Sequence, residues 1–188
     1  IRFLKKYTHE NFGYEKATLV SKSLAGIMKP LMVKRLESSF EAFKISLNNL
    51  RKSTGRMIEM FEKDKVLIAP DLKINDLQEK GYSFEEIELM ILELTAENPR
   101  NNVFSSEDFE PDFLEHLRKD ERLLTELCRE WSRIEQDPKL DAFFKTIDEE
   151  LFRADINPTE QLVVFTESKD TADYLQKKIE ARLDTKIL

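Results

Sequence analysis

The chain has 188 residues, 40% hydrophobic and 36% charged, with thirteen Phe and a formal net charge of −7. That apolar content suits one medium domain or one and a half, and excludes an intrinsically disordered segment. One cysteine, Cys128, excludes an internal disulfide, and no run approaches the roughly 20 apolar residues that cross a bilayer, so a cytoplasmic protein with no membrane partner is expected.

Four Gly and six Pro point to a mainly helical chain in which the prolines mark the breaks. An aromatic N-terminal segment (Phe3, Leu4, Tyr7, Phe12, Tyr14) leads to a helix from Lys16 to Met28, expected to stop before Pro30. Leu31 to Glu37 is a short apolar-basic piece. Ser38 or Ser39 then caps a long helix, Ser39–Lys65, carrying Phe40, Phe43, Leu47, Leu50, Thr54, Met57 and Phe61 at three-four spacing. Gly55 weakens that pattern without breaking it. A loop around Ala69–Asp71 and a weak helix ended by Gly81 follow. Ser83 caps a helix with Phe84, Ile87, Met90, Ile91 and Leu94 on one face. Residues 98–110 read as a polar loop. Pro111 suits the start of a second long helix, Asp112–Gln136, striped by Leu114, Leu117, Leu124, Leu127, Trp131 and Ile134. The two long helices are expected to pack antiparallel. Asp137-Pro138 caps a further helix with Leu140, Phe143, Phe144, Ile147 and Leu151, and Asn157-Pro158 ends the helical part.

The last residues change character. Gln161-Leu-Val-Val-Phe-Thr166 lacks polar alternation and reads as a strand buried on both faces. Ser168 caps a helix with Ala172, Leu175, Ile179 and Leu183 at helical spacing, and Lys186-Ile-Leu188 resumes an apolar pattern. Strand, crossover helix and the start of a second strand make a truncated βαβ unit. With Ile1 in place of an initiating Met, the chain reads as a piece of a longer protein. The expected fold is mainly α: a helical bundle with long antiparallel helices over residues 1–136, then a truncated βα(β) start of an α/β lobe over 137–188.

Charge is uneven along this framework. Lys22–Arg56 holds eight basic residues against two acidic, and Met57–Glu130 nine basic against twenty acidic. The basic segment leaves nucleic-acid binding open, because binding depends on local potential. A solvated basic helix face gives the same count.

Motifs for self-contained chemistry are missing. The sequence has no G-x-x-x-x-G-K-[ST] and no G-x-G-x-x-G loop to cradle phosphates. His9 and His116 are isolated, so no metal site is expected. Cys128, beside Leu124 and Trp131, reads as a small core hydrophobe. Asp108-Phe-Glu-Pro-Asp112 lacks the glycine that a calcium loop needs at its sharp turn. No catalytic residue is assigned within the chain.

Two stretches carry a resemblance. Leu162-Val-Val-Phe-Thr-Glu-Ser-Lys-Asp-Thr-Ala-Asp-Tyr-Leu175, preceded by Asp137-Pro-Lys-Leu140, resembles the opening of the second RecA-like lobe of superfamily 2 helicases, closest to the Swi/Snf-type translocases. Met32-Val-Lys-Arg-Leu-Glu-Ser-Ser-Phe-Glu-Ala-Phe43 is similar to the basic segment by which those proteins leave lobe one and enter a helical region. The resemblance implies an ATP-dependent DNA helicase or translocase, to which this chain gives the inter-lobe helices and the start of the second lobe. ATP and Mg would belong to the parent protein; the chain, without the phosphate loop or acidic metal motif, would hold no cofactor and hydrolyse nothing alone. Its partners would be the first helicase lobe in cis and the DNA phosphate backbone, gripped without regard to sequence. Thr166, Ser168 and Lys169, at a strand-to-helix turn, would hold one phosphate. Lys34 and Arg35 would bind DNA or pair with acidic helices in the inter-lobe region. Two other readings stay open: a non-enzymatic helical protein-interaction module, and an unrelated doubly wound domain of the response-regulator type.

Overall fold

The computed structural model describes residues 28–98, 101–159 and 161–183. The expected aromatic N-terminal segment, the body of the Lys16–Met28 helix and the Lys186–Leu188 strand lie outside them. Contacts divide the chain into two compact units. One contains Leu50–Thr125, the other the described residues of Leu24–Asn49 and Glu126–Leu188. The chain is mainly helical, as expected, with one small two-stranded sheet among the described residues.

In the second unit, helix α1 covers residues 28–38 and helix α2, Phe40–Glu62, begins in it. The expected stop before Pro30 is not found. Pro30 lies within the described residues of α1. Ser39 separates the two helices and caps the second, its Oγ accepting from Ala42 N at 3.0 Å. Phe40 and Phe43, early on α2, meet Trp131 edge-on at 5.3 and 4.6 Å. Trp131 stands near the end of helix α5, Phe113–Ser132. Asp137 then caps α6, Pro138–Thr146, with its carboxylate accepting from Lys139 N and Leu140 N. The helix continues as a single π turn, Ile147–Leu151, around the buried Ile147. Helix α7 runs Lys169–Leu183.

The first unit holds a core that the hydrophobic pattern predicted only in part. Strands β1, Val66–Ile68, and β2, Asn102–Phe104, pair antiparallel with Val66 opposite Phe104 and Leu67 opposite Val103. Neither strand was expected: residues 66–68 fell between the long helix expected to end at Lys65 and the loop around Ala69–Asp71, and 98–110 read as a loop. Asp64, left-handed at φ 53°, turns the chain out of α2 into β1. Helix α3, Ile74–Glu79, ends at Gly81, whose φ of 92° is readily accessible only to glycine. Helix α4, Phe84–Thr95, starts with the expected Ser83 cap, completed by Glu86 reaching back to Ser83 N at 2.7 Å. Its Ile87 and Ile91 are fully buried and join Phe61, Val66, Leu67, Phe104 and Phe109 in one cluster. Phe61, late on α2, packs on Phe113, early on α5, at 5.5 Å. In the second unit the start of α2 meets the end of α5, and in the first unit the end of α2 meets the start of α5. The α5 stripe is only partly covered, since no α5 residue is buried and Leu127 is 37% exposed.

The Gln161–Thr166 strand is corrected. Residues 161–166 form no ladder, and the run is exposed rather than buried on both faces: Val163 is 73% and Phe165 91% exposed. The sequence supplied apolar β-formers, but a strand is held by a neighbour that takes up its N–H and C=O groups, and no described segment forms a ladder with this run.

Candidate functional site

The second unit gathers its buried polar side chains in one place. Ser39, Asp137, Ser168 and Thr171 are all under 9% exposed, and burial of such groups is sustained only by hydrogen bonds. Thr171 Oγ1 lies 2.7 Å from Ser38 Oγ and 3.0 Å from Ser39 Oγ, which ties α7 to the α1–α2 joint. The Lys139 ammonium, in the first turn of α6, donates to the Glu37 carbonyl and, at 3.2 Å, to that of Ser38, covering the C-terminal end of α1. Tyr174 donates to Asp137 Oδ2 at 3.3 Å. Burial and the Asp137 carboxylate push its hydroxyl up to about 12, because both disfavour the phenolate.

Beside this cluster lies a hollow of about 690 Å³ lined by residues of α1 and of the turn into α7. Lys34, Arg35, Ser168 and Lys169, four of the five residues expected to bind a strand, line it together. So do Glu37, Glu167 and Asp170. Arg35 Nη1 donates to Ser168 Oγ at 2.6 Å and to Asp170 Oδ2 at 3.0 Å. Both ends of the ion pair reach water, with the side chains 41% and 31% exposed. Lys34 and Lys169 are exposed. Thr166, the fifth residue, instead lines an adjacent hollow of about 210 Å³ with Phe143, Val164 and Tyr174, and its Oγ1 accepts from Ser168 N at 3.3 Å.

Ser168 stands at the cap position of α7, its carbonyl accepting from Ala172 N at 3.0 Å. Its hydroxyl accepts from Arg35 and keeps its proton to donate. The first-turn N–H groups of α7 have no helical acceptors and carry the positive end of the helix dipole. Three cations, a hydroxyl and a helix N-terminus on one hollow suit a tetrahedral oxyanion; the three carboxylates set against them keep the net charge there near zero.

Arg35 with Asp170 was missed as a pair. The acidic partners held open for Arg35 were helices of the inter-lobe region, whereas Asp170 lies on α7, in the part expected to begin the second lobe. The signal available in the sequence was only that Asp170 lies in a helix first turn, where acidic residues are common. The described residues contain no group of His, Cys, Asp and Glu side chains that could hold a metal, and no helix long and apolar enough to cross a membrane. No family model, no curated protein and no solved structure matches this chain.

Proposed function

We propose that the chain is the inter-lobe helical region and the first βα step of the second RecA-like lobe of a Swi/Snf-like, ATP-dependent DNA translocase. Within it, Lys34, Arg35, Ser168 and Lys169 grip one backbone phosphate. The observation that carries the reading is the meeting of the stretches that bear the resemblance. Arg35 and Ser168, 133 residues apart in sequence, share a hydrogen bond. Lys139, from the Asp137–Leu140 stretch, holds the end of α1. Three separately chosen segments thus form one cluster, with the cations and the α7 N-terminus facing one hollow. The exposed Val163 and Phe165 fit a first strand that pairs within a larger sheet.

Phosphate contacts position a strand without reading bases, so the grip is sequence-tolerant. ATP, Mg and the hydrolytic machinery belong to the parent protein and to its first lobe, since no phosphate-cradling loop is present here. The test is Lys169→Ala in the whole protein: affinity for DNA falls by a similar factor for unrelated sequences, and the log K against log salt slope shrinks by about one. Unchanged affinity at low salt sinks the grip.

A second reading, a helical protein-interaction module without enzymatic activity, is favoured by the exposed apolar side chains Leu89 and Leu92 on α4 as well as by Val163 and Phe165. The same DNA titration separates the two, because the module needs no DNA.

A further inference from the structure

Resting on the phosphate-grip reading, we propose that Asp170 is a displaceable internal counter-ion, which occupies Arg35 in the empty site and must leave it when a phosphate arrives.

The argument begins with the Arg35 guanidinium. One nitrogen, Nη1, serves both Ser168 Oγ and Asp170 Oδ2, at 2.6 and 3.0 Å. A phosphate diester that takes the Nη1–Nη2 edge, the one turned to Ser168 and the α7 N-terminus, needs that same nitrogen, because planar guanidinium donors match two adjacent phosphate oxygens. Any oxygen that reaches Nη1 comes within a few ångströms of the Asp170 carboxylate, and two like charges at that separation repel strongly in a part-buried hollow. The carboxylate and the phosphate therefore compete for one cation and do not share it.

Burial decides whether the exchange is feasible. With 41% of the Arg35 side chain and 31% of the Asp170 side chain exposed, the pair is held by a partly screened attraction of the kind that contributes little to stability. A fully buried pair would be locked, since breaking it strands a charge. Ser168, by contrast, is buried at 8% exposure and fixed. The hydroxyl thus holds Arg35 in position while the carboxylate is free to swing into water. Glu167 and Glu37 line the same hollow, but neither forms an ion pair with Arg35 among the described residues. The competition is specific to Asp170.

The device makes the grip weak at rest and responsive to whatever moves α7 relative to α1. A contact that exchanges one anion for another is easily made and easily released, which a translocating grip requires.

The experiment measures binding of a fluorescein-labelled single-stranded DNA oligonucleotide to the full chain by anisotropy, between about 50 and 200 mM salt. Four proteins are compared: wild type, Asp170→Asn, Glu167→Gln and Arg35→Ala. Asp170→Asn binds about tenfold more tightly, and its log K against log salt slope steepens by about 0.7, as one further cation is released to the strand. Glu167→Gln changes affinity by about twofold or less. Arg35→Ala weakens binding, and in the Arg35→Ala background the Asp170→Asn gain disappears. Equal gains from Asp170→Asn and Glu167→Gln would show mere charge reduction and overturn the proposal. A weakened Arg35→Ala with no gain from Asp170→Asn overturns the counter-ion role and leaves the grip standing. An Arg35→Ala that binds like wild type overturns the grip itself, and the counter-ion with it. Asp170→Asn also removes a favourable charge from the start of α7, so Asp170→Ser, which lacks the charge but keeps a polar side chain in that first turn, is measured beside it and gives the same gain.

Discussion

Two asparagines in the first unit offer a controlled measurement of what burial does to a hydrogen bond. Asn98 Nδ2 and Asn101 Nδ2 donate to the same oxygen, Asp71 Oδ2, at 2.6 and 2.7 Å. Asn101 is 0% exposed, and its Oδ1 also accepts from Asp71 N at 3.3 Å; Asn98 is half-buried. A hydrogen bond to a charged acceptor contributes roughly 1.5–3 kcal/mol, and a long neutral one about 0.5. Asp71 is itself exposed, so water takes over on the carboxylate side when Asn101 is truncated, which places the expected loss toward the lower end. Asn101→Ala therefore costs about 2 kcal/mol, and Asn98→Ala, where water reaches both partners, about 0.5–1 kcal/mol. Urea unfolding followed by far-UV circular dichroism reads both, the slope being checked for constancy. Equal losses at the two positions would refute the claim that burial, rather than geometry, sets the strength of these contacts.

Three further outcomes are expected. Gly55 lies within α2 and, among the described residues, nothing beyond its own stretch of helix backbone comes within 4 Å of where a Cβ would sit, so Gly55→Ala stabilises by about 1 kcal/mol and raises the melting temperature by about 2–4 °C; a lower value would mean that the helix is strained there. Tyr174 keeps its proton more firmly folded than unfolded, with a value raised from 10.0 to about 12. The stability this gives is complete below pH 10 and declines as pH rises toward 12. Tyr174→Phe removes that decline in alkaline unfolding curves, at a neutral-pH cost of about 1 kcal/mol or less. Asp64 has the opposite sign. Ser106 and Ser105 donate to its carboxylate and hold it below the usual 3.8, so its contribution is present above pH 4 and is lost as the pH falls through and below that value. Asp64→Asn keeps a residue type that accepts a positive φ, and acid unfolding of the variant should show a shallower pH slope than wild type.

What could be read from the amino acids follows from how local each signal is. Ser39, Ser83, Asp137 and Gly81 act on backbone groups within three residues of themselves, and all four were legible. Strands β1 and β2 are three residues each; Val66-Leu-Ile68 follows α2 with no alternation to betray it, and its partner lies beyond α4. The Gln161–Thr166 run shows the reverse failure, since its β-rich composition cannot specify a neighbour. At the candidate site, residue types at the α7 turn and on α1 were legible as cations and hydroxyls. The Asp170 contact was not, because it depends on a side chain 135 positions away.

The joint at Ser39 has a mechanical consequence. Ser39 N donates to the Arg35 carbonyl at 3.1 Å, and Phe43 N to the Ser39 carbonyl at 3.2 Å, so two backbone hydrogen bonds bridge the joint while the Ser39 hydroxyl takes Ala42 N and Lys139 takes the Glu37 and Ser38 carbonyls. A bend of this kind is a stiff elbow rather than a loose tether. Tension applied at the guanidinium of Arg35 is delivered to the aromatic contacts of Phe40 and Phe43 on Trp131 within about two turns of backbone, instead of dissipating in slack chain. Amide protons at Ser39 and Phe43 should accordingly exchange with solvent as slowly as those of the helices on either side.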